Sequence, residues 1–120
     1  MNSQSIAVIF EVIPKSNYKN EYLDIASGLK SELEKIKGFI SIERFQSISQ
    51  PEKILSLSFW KNEEAIKEWR NIDMHRTAQT KGRAYIFEDY NLRVAHVVRD
   101  YGIRNRKEAP SDSKSIHSKK

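Results

Sequence analysis

The sequence predicts an α+β fold of the ferredoxin-like type, in which the element order is βαββαβ and both helices cover one face of an antiparallel sheet. Segments rich in β-branched and aromatic residues alternate with two segments of helical periodicity, and only the short break "QPE" separates the two middle strands. With 120 residues and 38% hydrophobic residues, the chain suits one core and is too short for two. We therefore expect a single domain over residues 1–102.

The first half of the domain combines one strand and one helix. The segment "IAVIFEVIP" is rich in β-branched residues and stops at Pro14, which predicts a buried strand. From Lys19 the apolar residues recur at spacings of three and four until Gly38, which is typical of an amphipathic helix that ends at a glycine. Gly28 lies inside this helix and is expected to cost about 1 kcal/mol against alanine.

The two middle strands are expected to form a hairpin. "FISIERFQSIS" alternates with a period of two, and Arg44 shares a face with Ile40 and Ile42. Arg44 either points into the interior or extends along the strand toward solvent, and the second arrangement is favoured. In "KILSLSFW" three apolar residues alternate with serines, and we expect them to face the helices: Leu55, Leu57 and Phe59. The opposite, open face would then carry Phe39, Phe45, Ile54 and Trp60, which a second subunit would bury.

The second helix is expected to begin near Asn62, a good N-cap, and to run to about Lys81 before Gly82. The acidic residues at positions 63 and 64 suit the first turn of a helix. The segment 83–91 has no clear periodicity, and "LRVAHVVRDY" at 92–101 predicts the last strand.

Charge and composition exclude several classes of protein. The net charge is +5, but positions 1–102 hold 15 basic and 14 acidic residues, so the excess lies in the tail, and this argues against nucleic-acid binding. The polar, basic segment 103–120 is expected to be disordered. The absence of a long apolar run or a signal peptide predicts a cytoplasmic protein without a membrane partner. The chain has no cysteine and three scattered histidines, which predicts no metal site.

The second helix carries the candidate site. Trp69, Asp73 and Arg76 fall on one stripe, so the apolar face of the helix becomes polar toward its end. In one interpretation Trp69 is core and Asp73 pairs with Arg76. In the other, the helix and sheet enclose a pocket walled by Trp69 and edged by Asp73, Arg76 and Gln79. His75 is turned away from the stripe and reaches that pocket only if the helix bends or the next segment folds over it.

These segments together resemble the antibiotic biosynthesis monooxygenase family, through "LSLSFWKNEEAIKEWRN", "HRTAQTKGR" and "YNLRVAHVVRDYG". The resemblance covers residues 5 to 102. It implies a homodimeric α+β barrel with a cavity between helices and sheet in each subunit. It also implies one of two activities: cofactor-independent oxygenation of aromatic or quinone-like molecules, or heme degradation.

The heme-degrading members of this family use an Asn on the first strand and a Trp and a His on the second helix. Trp69 occupies the position of that Trp, but Gln79 stands where the heme ligand is expected, and Ile9 or Phe10 replaces the Asn. Heme is therefore disfavoured, and no cofactor is expected. The leading hypothesis is a homodimeric monooxygenase of a small apolar or aromatic molecule, with His75 or Arg76 as the catalytic polar group. The alternatives are a non-catalytic dimeric binding or stress-response module and a heme-binding relative.

Overall fold

The element order βαββαβ is confirmed in the computed structural model, which describes residues 4–80 and 86–113, without the side chains of residues 73–80. The elements are β1 (Ile6–Pro14), a 3-10 turn (Ser16–Tyr18), α1 (Lys19–Glu34), β2 (Phe39–Gln46), β3 (Ile54–Trp60), α2 (Glu63–Thr80) and β4 (Phe87–His96). The strands form one antiparallel sheet in the order β2-β3-β1-β4, so the α+β, ferredoxin-like prediction is correct.

The sheet register arranges the helix-facing side chains in rows across the strands. Arg44 of β2 pairs with Ser56 of β3, which pairs with Phe10 of β1. The neighbouring row runs from Ile42 through Ser58 to Val8 in the same way. These two rows lie in the middle of the covered face and form the floor of the site described below.

The hydrophobic core lies between this face of the sheet and the two helices. Its main cluster consists of buried residues from both helices, from strands β1 and β3 and from the turn after α1: Ile6, Val8, Leu33, Ile36, Trp60, Ala65 and Ile66. A second cluster around Val12 and Tyr22 lies at the other end of α1. Helix residues therefore pack on one face only, as predicted.

The facing of β3 was predicted wrongly. Trp60 is fully buried in the main cluster, and Ile54 and the two serines between them are also buried. Leu55 and Leu57 are half-buried on the opposite, open face, where they pair with Glu11 and Ile9 of β1. The alternation was read correctly, but an apolar set does not identify the core face when the other face of the sheet is apolar too. Trp60 is accordingly core rather than open-face packing.

The connection before α2 and the connection after α1 each have a specific local cause. The Asn62 side chain accepts a hydrogen bond from the backbone N–H of Ala65 at 2.9 Å, which confirms the predicted N-cap. Gly38 has a φ of +102°, a conformation that side chains rarely permit, and its carbonyl accepts a 2.7 Å hydrogen bond from the N–H of Lys61. The ends of α1 and β3 are thereby tied together.

The last strand begins earlier than predicted, at Phe87, and ends at His96. Pairing with β1 fixes this register, because aromatic contacts of Phe87 with Phe10 and Tyr22 hold the start of the strand. Beyond the strand, residues 103–113 were predicted to be disordered but form turns, in which the Asp100 N–H donates to Glu108 and Ala109 is buried. Residues 114–120 lie outside the described part, and the domain boundary at 102 stays a prediction. Among the described residues, no helix is both long and apolar enough to cross a membrane.

Candidate ligand-binding cavity

A cavity lies between the helices and the middle of the sheet. Side chains of β1, β2, β3 and both helices line it: Val8, Phe10, Tyr22, Ala26, Leu29, Leu33, Ile42, Arg44, Ser56, Ser58 and Trp69. The space in which the centre of a water molecule fits is about 20 Å³, within a hollow of about 420 Å³ that includes its mouth to solvent. Since about 10–15 Å³ of such space holds one water molecule, the cavity has room for water and not for an aromatic ring.

The cavity exists because β3 has small side chains where its neighbours have large ones. Ser56 and Ser58 are buried on the helix side, between the larger Ile54 and Trp60 at the two ends of the same strand face. Ala26 of α1 is also small and lies on the cavity wall. Protein interiors are normally filled to crystal-like density, so a hollow at this position reflects the choice of these residues.

The two tryptophans form a pair at one end of the cavity. Their ring centroids lie 5.6 Å apart at an interplanar angle of 34°, and Trp60 also makes an edge contact with Phe39. The indole N–H of Trp60 donates a 2.9 Å hydrogen bond to the Ser58 hydroxyl, which satisfies the buried indole. Trp69 is only partly buried, packs on the core and lies on the cavity wall. It therefore belongs to the core and to the cavity at once, and its contact with a substrate stays a prediction.

The other end of the cavity is polar. Arg44 is the one charged side chain among the lining residues that the structure describes, and it lies across the strand from Ser56. Its Nε atom is buried and has no hydrogen-bond partner. A buried N–H without a partner costs about 1–3 kcal/mol, so this arrangement is unfavourable unless water or a ligand completes it.

The remaining predicted site residues cannot be placed as side chains. Asp73, His75, Arg76 and Gln79 lie on the α2 backbone, but their side chains are outside the described part of the chain. Sequence reasoning weighed Arg44 and favoured the solvent-directed arrangement, and it missed the two serines and Tyr22. The available signal was the pair of serines in an otherwise apolar strand, which marks the position where the sheet leaves space.

Strand β1 lacks the Asn that the heme-degrading members of the family use on the first strand. The helix-facing residue of β1 at the position where an Asn is expected is Phe10, an apolar side chain that lines the cavity. No group of three His, Cys, Asp or Glu side chains that could hold a metal occurs in the described residues.

Comparisons with known proteins agree with this architecture. The model of the family "Antibiotic biosynthesis monooxygenase" matches residues 5–81. A jasmonate monooxygenase from Pyricularia oryzae is 48% identical over 91 residues, which are 76% of this chain and 42% of that protein. This chain thus spans less than half of that relative. The uncharacterized protein YqjZ of Bacillus subtilis is 32% identical over 93 residues, 78% of this chain and 79% of its own length.

A solved structure supports the fold independently. The heme-degrader MhuD of Mycobacterium tuberculosis, solved with two hemes in its active site, superposes with a TM-score of 0.62 over 81% of this chain and 99% of its own, at 19% identity. At that identity the likeness concerns the fold alone. The family match covers more than half of the chain, and both sequence relatives cover more than two thirds of it. This chain belongs to the antibiotic biosynthesis monooxygenase family.

Proposed function

We propose that the protein is a cofactor-independent monooxygenase that oxidises a small apolar or aromatic molecule in the cavity between α2 and the sheet. The observation that carries the proposal is the hollow left by Ser56 and Ser58 beneath Trp69, in a chain that belongs to a monooxygenase family. The jasmonate monooxygenase relative makes a jasmonate the first substrate to test.

The proposed chemistry uses the substrate's own electrons. A C–H group made acidic by a neighbouring carbonyl loses its proton to a base, and the resulting carbanion passes electrons to dioxygen. A CH₂ group then becomes a carbonyl with release of one water, so atoms and electrons balance without an external reductant. Hydroxylation of a CH group to an alcohol would instead require two electrons from a donor. We propose His75 or Arg76 as the proton-transfer group, with Asp73 and Gln79 at the pocket edge.

The apolar lining supports this chemistry physically. Val8, Leu29 and Leu33 are buried side chains without polar atoms, so a bound substrate would be separated from bulk water. Exclusion of water strengthens electrostatic interactions with a developing anion and prevents its reprotonation by solvent. Because the cavity accommodates only water, substrate binding requires the lining side chains to move apart.

Oxygen consumption tests the proposal directly. The purified protein is incubated with jasmonate, anthrones and hydroquinones in air without a reductant, and products are analysed by mass spectrometry with isotopically labelled dioxygen. We expect one labelled oxygen atom in the product and reduced turnover in Trp69→Ala and His75→Ala. Absence of turnover, or unchanged turnover in both folded variants, would favour the non-catalytic binding or stress-response module. A Soret band that forms with hemin and disappears in His75→Ala would favour the heme-binding alternative.

We also propose that the protein is a cytoplasmic homodimer in which a second copy covers the open face of the sheet. Large apolar side chains on that face are only half-buried in the single chain: Ile9, Ile13, Leu55, Leu57 and Phe59. Phe45 beside them is 43% exposed. An apolar sheet face of this kind is typical of protein–protein contact.

A further inference from the structure

Arg44 is a charged residue with a buried N–H group that lacks a hydrogen-bond acceptor. It lines an otherwise largely apolar cavity, and its buried Nε makes no hydrogen bond. No ion pair of Arg44 occurs in the described part of the chain, whereas the other arginine of the sheet, Arg93, pairs with Glu11 at 3.0 Å. Buried polar groups in proteins nearly always have a partner, which here has to be water, solvent at the mouth or a ligand.

The neighbours of Arg44 limit what that partner is. Ser56 lies directly across from it on β3, and Phe10 follows on β1 in the same row, so the nearest residue of the row offers a small hydroxyl group and the next an aromatic ring. No carboxylate side chain is among the described lining residues. A neutral apolar molecule would leave the buried Nε of this partly buried side chain without a partner and would displace water from the rest of the guanidinium. An anionic group on the ligand removes this cost.

The geometry of the row favours a carboxylate over a larger anion. A guanidinium presents parallel N–H groups that match the two oxygens of a carboxylate. A phosphate has more charge and more oxygens, which the apolar walls formed by Leu29, Leu33 and Ile42 cannot satisfy. A carboxylate at Arg44 would place the rest of the ligand over the adjacent row, about 7 Å along the strands, beneath Trp69.

We infer that Arg44 binds the carboxylate of an otherwise apolar substrate, with its apolar body over Ser58 and Val8 and against Trp69. The inference rests on the proposed function, because it assigns the substrate class of that cavity. It makes the protein selective for a carboxylic acid over its methyl ester. Arg44 is thereby a binding and specificity residue, whereas proton transfer is assigned to other groups.

Anaerobic binding measurements test this assignment apart from catalysis. Calorimetry compares jasmonate with its methyl ester, and 1-naphthylacetate with its methyl ester. We expect each acid to bind the wild-type protein about tenfold to a hundredfold more tightly than its ester, the range of a charge-assisted hydrogen-bonded pair. In Arg44→Met this preference should disappear through loss of acid binding, and Arg44→Lys should retain part of it because the charge remains. Arg93→Gln, which removes an equal charge from the exposed edge of the sheet, should keep the full preference.

Thermal unfolding without ligand separates recognition from a structural role. Because Arg44 has no partner to lose, Arg44→Met should unfold at the wild-type temperature or above it, whereas an arginine that holds the fold would give a lower one. Equal binding of acid and ester by the wild type, binding of neither, or an acid preference that survives in Arg44→Met would overturn the inference. Oxygen consumption without acid preference would overturn it while leaving the proposed function intact. Acid preference without oxygen consumption would support Arg44 and refute the oxygenase.

Discussion

One glycine lies inside the helix α1 that lines the cavity and another follows its C-terminal end, and replacing each by alanine should change stability in opposite directions. Gly28 lies within α1 and is exposed, and a Cβ built on it meets nothing within 4 Å. Alanine there should raise the free energy of unfolding by about 0.5–1 kcal/mol, since glycine loses more backbone entropy in a helix. For about 100 folded residues this corresponds to an increase in Tm of about 2–5 °C.

Gly38 should respond in the opposite way. Its φ is +102°, and a Cβ there would lie 3.0 Å from the Cβ of Ala65 at the start of α2. The backbone strain alone costs about 1–3 kcal/mol, so Gly38→Ala should lower Tm by about 5–15 °C. Gly102 is the matched control, because it has open space around it and lies outside both helices. Urea and thermal unfolding followed by circular dichroism give both values. Destabilisation by Gly28→Ala, or no loss of stability in Gly38→Ala, would refute this account of the two glycines.

Three further pairs of substitutions test the core, a helix cap and the open face. Trp60→Ala should lower the free energy of unfolding by about 3–5 kcal/mol in urea titrations, because Trp60 is fully buried. Trp69 is only partly buried, so Trp69→Ala should lower it by about 1–3 kcal/mol. Equal losses in the two variants would contradict the different burial of the two tryptophans. Asn62→Ala should lower the free energy of unfolding by about 1 kcal/mol in thermal unfolding, and Asn62→Asp should keep the wild-type stability because aspartate is also a good N-cap. Equal stability of Asn62→Ala and the wild type would contradict the role of this cap. Leu57→Lys places a charge on the open face and should shift sedimentation from dimer to monomer. Ile48 is 98% exposed, so Ile48→Lys is the control and should leave the dimer intact. A monomeric wild-type protein would contradict the proposed dimer.

The sequence predicted the elements well because each has a local cause. Helical spacing determines the buried face of α1, and the side chain of Asn62 determines where α2 begins. The facing of β3 could not be obtained locally, because both of its faces carry large apolar residues and only the sheet register decides which one meets the helices. The start of β4 depends in the same way on pairing with β1.

Local sequence patterns were likewise sufficient to find one residue of the candidate site but not to place another. Trp69 was found from helical spacing, because a helix stripe is a local pattern. The position of Arg44 beside Ser56 depends on the pairing of β2 with β3, which brings together residues twelve positions apart. A single alternating strand is compatible with an arginine that points either toward the helices or along the strand toward solvent, and only the sheet register shows that Arg44 lies among the cavity-lining residues.

The unfavourable features of the covered sheet face all lie on two adjacent rows. The rows from Arg44 to Phe10 and from Ile42 to Val8 hold both buried serines and the unpaired guanidinium nitrogen, while the rows on either side of them are filled by Ile54 and Trp60. A core selected for stability alone would place larger apolar side chains at Ser56 and Ser58 and an uncharged one at Arg44. Random imperfections would not share one location. The location of both serines and the unpaired nitrogen under Trp69 is therefore better explained by a ligand with an apolar body and one anionic end than by packing.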